Sequence, residues 1–283
     1  MTDETFTTAD GAKISFTRYP APRAGAPRVV FLHSLALDRS IWNGVVELAR
    51  SHAEILTYDF RGHGRSDRSA GNRADLVGSR ADLKVGPYSV ELFADDLAAL
   101  LDHAAWPHAT VAGCSMGGSV ALAFAARHAA RTERLLLIDT TAWYGDDAAS
   151  QFRERAAAAR TKGMQGLIEF QLTRWFSDEF RATHPEALQR LTAIFVAGDL
   201  DAYAASCALL GAVDARSSLR SFRLPTTIVV GAEDPATPVA MAGYLHEQIA
   251  GSTLTVIPAA RHLTPIEHPE IIAAELFNLL RRV

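Results

Sequence analysis

Short uninterrupted apolar runs alternate along this chain with stretches of helical periodicity. Arg28-Val29-Val30-Phe31-Leu32, the 53–58 segment around Ile55-Leu56, Thr110-Val111-Ala112, Arg134-Leu135-Leu136-Leu137-Ile138-Asp139, Thr226-Thr227-Ile228-Val229-Val230 and Thr253-Leu254-Thr255-Val256-Ile257 are brief and rich in branched residues. Such runs mark strands of a parallel sheet whose faces are covered. Helices are predicted between them, the first over about 41–49. The next starts after Ser89, placed as an N-cap with Tyr88 and Phe93 as a hydrophobic staple, and turns Phe93, Leu97, Leu100 and Leu101 onto one face. Residues 120–126 are apolar on nearly every side, as in a helix buried against a sheet. Two more are predicted over about 239–249 and from Pro269 onward, where proline suits a first helical position and Ile272, Leu276, Leu279 and Leu280 form the buried set. Ahead of all these, residues 6–19 alternate apolar and polar (Phe6, Ile14, Phe16, Tyr19) around Asp10-Gly11, which predicts an antiparallel pair. The sum is an α/β fold with a mostly parallel, eight-stranded sheet flanked by helices.

The rhythm breaks twice. From 144 to 220 the pattern is helical throughout, with Met164, Leu167, Ile168, Leu172 and Trp175 on one face and Leu188, Leu191 and Phe195 on another. This predicts a helical cap over 144–220, inserted in a core domain made of 1–143 and 221–283. Between Arg68 and Gly86 the chain is rich in Gly, Ser, Asp and Arg without apolar period, and a mobile surface loop is expected there.

Composition narrows the class. With 283 residues and 48% hydrophobic content the chain can bury a full core. The 28 basic and 32 acidic side chains are nearly balanced, and no basic run would hold a phosphate backbone, which argues against a nucleic-acid partner. Met1-Thr2-Asp3-Glu4-Thr5 lacks the blocks of a signal peptide, and no stretch approaches the roughly twenty apolar residues of a spanning helix, so no membrane partner and a cytoplasmic location are expected. The only two cysteines, Cys114 and Cys207, suit a reducing compartment and have no zinc-type spacing; neither a disulfide, a metal nor a cofactor is predicted.

The chemistry centres on Gly113-Cys114-Ser115-Met116-Gly117-Gly118, where an apolar strand turns sharply into a buried helix. The G-x-S-x-G pattern in that context reads as a nucleophile elbow, with Ser115 at a helix N-terminus that favours negative charge. A serine hydroxyl is a weak nucleophile at neutral pH, so it needs a histidine to take its proton and a carboxylate to fix that histidine's tautomer. On an elbow of this kind the acid and then the histidine follow the serine along the chain. His128, His184, His246, His262 and His268 qualify by position, but only His262 falls in a loop directly after a buried strand; the others suit helix surfaces or a helix cap. Asp234 and Asp139 both follow apolar strands as candidate acids, with Asp234 favoured because it lies one strand before His262. Glu233 is expected to point elsewhere. The oxyanion requires two backbone donors, assigned to Met116 and to Leu35 in the loop His33-Ser34-Leu35, where His33 reads as a structural hydrogen-bonding residue.

With these parts in place, the sequence resembles the α/β-hydrolase superfamily along its whole length, and within it the 3-oxoadipate enol-lactonase family. The resemblance rests on Ser34-Leu35 with Trp42, on Tyr58-Asp59-Phe60-Arg61-Gly62-His63-Gly64-Arg65-Ser66 and on the elbow. More specific segments are Thr141-Ala142-Trp143, Arg174-Trp175-Phe176, Tyr203-Ala204-Ala205 with Cys207, 231–238 and His262-Leu263-Thr264-Pro265-Ile266-Glu267. The family implies Ser115, Asp234 and His262 as the triad. This chain departs from it in the longer 68–86 segment and in His33, where the lactonases often carry asparagine.

The resemblance implies hydrolysis of a small carboxylate-bearing enol-lactone, with a small-molecule lactone or ester as the substrate and partner. Ser34, Trp143, Arg174, Trp175 and Phe176 are expected to form the substrate pocket, with Arg174 a candidate for the substrate carboxylate. Core packing for the three aromatic residues and a solvated helix face for Arg174 are the competing readings. A carboxylesterase or a carbon–carbon bond hydrolase would use the same triad, and a binding protein on this fold would have lost turnover.

Overall fold

The computed structural model describes residues 2–68 and 88–282. Among these residues one sheet of eight strands forms: β1 (Thr2–Thr7), β2 (Lys13–Tyr19), β3 (Arg28–Leu32), β4 (Glu54–Tyr58), β5 (Ala109–Cys114), β6 (Thr132–Ile138), β7 (Thr226–Gly231) and β8 (Thr253–Ile257), in the order β1-β2-β4-β3-β5-β6-β7-β8. The predicted hairpin pairs β1 with β2, β2 joins β4 antiparallel, and every pair from β4 to β8 is parallel. Val29, Val30, Phe31 and Leu32 are fully buried, as their unbroken apolar pattern requires, whereas the edge strand β8 leaves Val256 partly exposed.

Winding decides where the site lies. From β3 the chain steps outward to β4 and then returns to the other side as β5, so the C-terminal ends of β3 and β5 flank a topological switch point. Such a point leaves a crevice that no crossover covers, and ligands bind there. The loops carrying Leu35 and Ser115 open on it.

The helices α1 (Asn43–Ala49), α2 (Val90–His103) and α3 (Met116–Arg127) form as patterned. Ser89 caps α2 through its hydroxyl, which accepts from the Leu92 amide at 3.1 Å, and the rings of Tyr88 and Phe93 pack at a tilt with centroids 5.1 Å apart as the predicted staple. Between β6 and β7 come α4 (Ala148–Lys162), α5 (Ile168–Trp175), α6 (Asp178–Thr183), α7 (Pro185–Ala197), α8 (Leu200–Gly211) and α9 (Arg216–Leu219). The stretch 164–175 is not one helix: Gly163, at φ +69°, ends α4, and a short 3-10 turn precedes α5. The two ends of this insertion are tied by the Ala215 amide, which donates to Ala142 O at 2.8 Å, and by backbone pairing of Trp143 with Asp214. Helices α10 (Val239–Gln248), α11 (Thr264–Glu267) and α12 (Pro269–Leu280) complete the chain, with His268 at the N-cap of α12. The surface loop expected over 68–86 lies, from residue 69 on, outside the described residues. Among the described residues no single helix is long and apolar enough to cross a membrane.

Candidate active site

Ser115 sits between β5 and α3 with φ +56° and ψ −117°, so the strain of the elbow is borne by the serine itself. The two flanking glycines serve a different need. A Cβ on Gly113 would collide with the backbone carbonyl of Gly117, and one on Gly117 with the carbonyl of Leu32 on β3. The turn is therefore tight because strand and helix backbones touch. Gly117→Ala is expected to cost about 3 kcal/mol of stability, since neither backbone can yield, and chemical denaturation would measure it.

The predicted groups converge. The Ser115 Oγ–H donates to His262 Nε2 at 2.8 Å, and His262 Nδ1–H donates to Asp234 Oδ2, also at 2.8 Å. Asp234 is buried and further held by the Thr237 hydroxyl at 2.8 Å and by the amides of Ala236 and Thr237 at 2.7 and 3.0 Å. Burial works to raise its carboxyl, but the charge of His262 and the hydrogen bonds from His262 and Thr237 outweigh it and hold Asp234 below the usual carboxylate range. The group stays ionised through neutral pH and fixes the imidazole with its bare Nε2 toward the serine.

Asp139, the other candidate acid, does not reach His262. Its Oδ1 accepts from the Gly231 amide at 3.1 Å, and its Oδ2 accepts from the amide and hydroxyl of Thr264 at 3.0 and 2.7 Å. It thus pins the start of the acid loop to the end of the histidine loop. The neighbouring Ile138 O accepts the Ser115 amide at 2.9 Å, and the Thr140 hydroxyl donates to Ser115 O at 2.8 Å. The end of β6 therefore anchors all three loops. Glu233 is exposed, as expected. The remaining histidines have local partners: His128 meets Asp95, His184 stacks on Phe180, His246 meets Ser252 and His268 faces Glu270.

Neither the Leu35 amide nor the Met116 amide donates to an acceptor among the described residues. For Leu35 the cause is His33. The Phe60 amide donates to His33 Nε2 at 2.9 Å, so Nδ1 carries the proton and donates to Ser34 O at 2.7 Å. With the carbonyl of that trans peptide held on one side, the Leu35 N–H is turned to the other. Burial pushes the His33 imidazole down to about 4, and burial together with His33 pushes His63 down to about 3. The unfolded chain binds these protons near pH 6.5 and the folded chain refuses them, so stability falls as pH drops below about 6.5, the His33 part of the loss levelling off near pH 4 and the His63 part near pH 3. For His33 this fall is on the order of 2–3 kcal/mol between pH 6.5 and 4, and His33→Asn should make the denaturation midpoint fall less steeply over that range, leaving the part that His63 contributes.

Ser115, Ser34, Leu35 and His262 open into a cavity of about 700 Å³ whose opposite wall comes from α4 and α5. Arg174 and Trp175 lie on that wall as predicted, but two expected residues do not. Trp143 lies under the Arg216 guanidinium, 3.9 Å from the ring centroid, because its backbone pairs with Asp214; the next residue, Tyr144, faces the cavity instead. Phe176 is fully buried in the insertion, stacked on Phe180 at 4.7 Å, which is the core-packing alternative. Sequence reasoning missed Tyr144, Arg155, Gln171 and Thr237. For Gln171 a signal existed: it is a polar residue on the apolar stripe of Leu167, Ile168 and Trp175. Cys114 and Cys207 are buried free thiols, and among the described residues no group of three or more His, Cys, Asp or Glu side chains is disposed to hold a metal ion.

Residues 27–269 match the family model of the α/β hydrolase fold. The chain belongs to the α/β-hydrolase family. Within that family it is 31% identical to 3-oxoadipate enol-lactonase 2 of Acinetobacter baylyi over 260 residues, 92% of this chain and 91% of the relative. The enol-lactonase from Burkholderia xenovorans LB400 superposes with a TM-score of 0.88 at 29% identity, covering 99% of this chain and 100% of that one. A thermophilic esterase from Thermogutta terrifontis, solved with malate bound, gives a TM-score of 0.85 at 25% identity over 99% and 98%. The enol-lactonase and the esterase share the fold found here, and the protein is a hydrolase of the ester and lactone class.

Proposed function

We propose that this hydrolase opens a small carboxylate-bearing enol-lactone, 3-oxoadipate enol-lactone, to 3-oxoadipate in the catabolism of aromatic compounds. The observation that carries the reading is the relay of Ser115, His262 and Asp234 at hydrogen-bond distance beside two uncommitted amides, together with the enol-lactonase relatives. In the proposed reaction Ser115 Oγ attacks the ring carbonyl as His262 Nε2 takes its proton, and the Leu35 and Met116 amides hold the oxyanion. The ring C–O bond breaks, and His262 returns the proton to the departing enol oxygen. An alkoxide tethered in this way would close the ring again, but the enol tautomerises to a ketone and draws the opening forward. Water, deprotonated by His262, then attacks the acyl carbon and releases the acid and the serine. The helices over 144–220 act as a cap, with Ser34, Arg174 and Trp175 lining the substrate pocket.

A second reading, a carboxylesterase, is favoured by size. A cavity of about 700 Å³ belongs to the range that holds drug-sized ligands, more than a small lactone fills. Catalytic efficiencies on the enol-lactone, a neutral short ester and a carbon–carbon bond substrate decide between them. The enol-lactone is expected to lead by at least about tenfold; a lead for either competitor overturns the substrate assignment.

A further inference from the structure

We propose that Arg261 is a positioning residue that clasps the histidine loop to the junction of α5 and α6. Through it, His262 and the cavity wall on α5 move as one body, and the site selects substrates by the length that fits between them. The proposal rests on the serine-hydrolase reading and adds what sets the reach of that site.

Arg261 immediately precedes the base, and its guanidinium is spent on the far end of α5. Nη1 donates to Thr173 O at 2.9 Å and to Phe176 O at 3.1 Å. Thr173 belongs to the last turn of α5 and Phe176 is its C-cap. The final carbonyls of a helix have no acceptor role within it and carry its negative end, so a guanidinium is well placed there. Nη2 lies 3.0 Å from Asp178 at the start of α6, and Nε lies 3.7 Å from Glu233, the neighbour of the triad acid. Both carboxylates are exposed, so these pairs add little, and the two carbonyl bonds carry the grip.

Further bonds close on the same few residues. The Leu263 amide, on the other side of His262, donates to Trp175 O at 3.1 Å. Glu267 on α11 accepts from the Arg261 amide through Oε2 and from the Ser177 amide through Oε1, both at 3.1 Å, and the Ser177 hydroxyl donates to the same Oε1. Both flanks of the base are thus tied to residues 173–177. Toward the sheet the loop is in hard contact, since a Cβ on Gly231 would fall 2.3 Å from Arg261 O and 2.4 Å from Ala260 O. The loop cannot settle toward β7, and the clasp keeps it from drifting with α5.

The helix held in this way carries Gln171, Arg174 and Trp175 on the cavity wall. Ser115, bonded to His262, closes the other end of the span. A substrate that fills the space between them is aligned with the imidazole only while wall and base keep their separation, and small misplacements of that kind are expensive in rate. An acetyl group is aligned by the serine, the imidazole and the two amides, with little help from the wall.

The test measures kcat and KM for p-nitrophenyl acetate, butyrate and hexanoate with the full-length protein, each rate divided by the active sites counted in a phosphonate titration. In Arg261→Met the butyrate-to-acetate and hexanoate-to-acetate ratios of kcat/KM are expected to fall about tenfold from their wild-type values, mainly through kcat for the longer esters. Arg261→Lys, whose ammonium can still donate to a carbonyl at the end of α5, should recover most of each ratio. Glu267→Gln breaks the second strap and should lower the same ratios by about threefold, so it carries the test if the methionine variant does not fold. Equal losses on all three esters, as a purely structural residue would give, overturn the clasp. Unchanged ratios, or a lysine variant no better than methionine, overturn it too. Hydrolysis of none of the esters by wild type, or activity that survives Ser115→Ala, instead removes the hydrolase reading beneath it.

Discussion

Ser115→Ala is expected to lower kcat on an activated ester by about 10⁴ to 10⁶, the range for removing a nucleophile from a triad. The variant loses the hydroxyl that, among the described residues, is bonded to His262 Nε2, and what rate is left comes from the two amides and from substrate binding. The fold should survive, because the substitution removes one oxygen and leaves the backbone bonds of residue 115 to Ile138 and Thr140 in place. Two measurements check this: the initial rate, and the mass shift when a phosphonate ester labels residue 115 in wild type. A variant that keeps more than about one-hundredth of the wild-type rate with an unlabelled serine would place the chemistry elsewhere.

Asp234→Asn is expected to cost about 10⁴ in kcat with little change in KM. Asp234 Oδ1 already accepts from two backbone amides, Ala236 and Thr237. Asparagine keeps its carbonyl there, so its NH₂ must replace Oδ2 and face His262 Nδ1. The imidazole then shifts its proton to Nε2 and presents a donor to the serine hydroxyl, which can no longer be deprotonated. The Thr237 hydroxyl, free to rotate, turns from donor to acceptor and stabilises the wrong arrangement. Steady-state kinetics across pH would read this, and a variant within tenfold of wild type would show that the carboxylate does not set the tautomer.

Much of this site was legible in the sequence because each of its three side chains lies in a loop just past the C-terminal end of an apolar strand, although the strand before His262 is the half-exposed edge of the sheet. An unbroken apolar run is a local signal, and in a parallel sheet every such run ends at the same edge. Ser115, Asp234 and His262 could therefore be placed together without knowing any distance. The choice between Asp234 and Asp139 could not be settled that way, since both follow equally good strands. It turns on where two carboxylates point: one meets His262, and the other spends its oxygens on Gly231 and Thr264.

The pocket was the least legible part. Trp143 and Phe176 stand out in the sequence as large aromatics, but adjacent side chains leave a backbone in different directions, and Tyr144 and Trp175 are the neighbours that face the cavity. Arg155 sits on α4 among other charged residues, with nothing local to separate it from a solvated helix face.

By itself the sequence determined the alternation of strands and helices, the elbow and the chain order of nucleophile, acid and base, since each is encoded in residues adjacent along the chain. Tertiary structure alone decided which carboxylate meets the imidazole, that His33 turns the Leu35 amide toward the crevice, and which side chains of the helices between β6 and β7 line the cavity. Those outcomes depend on the direction of single side chains and peptide planes, fixed by partners dozens of residues away, and no local pattern carries that information.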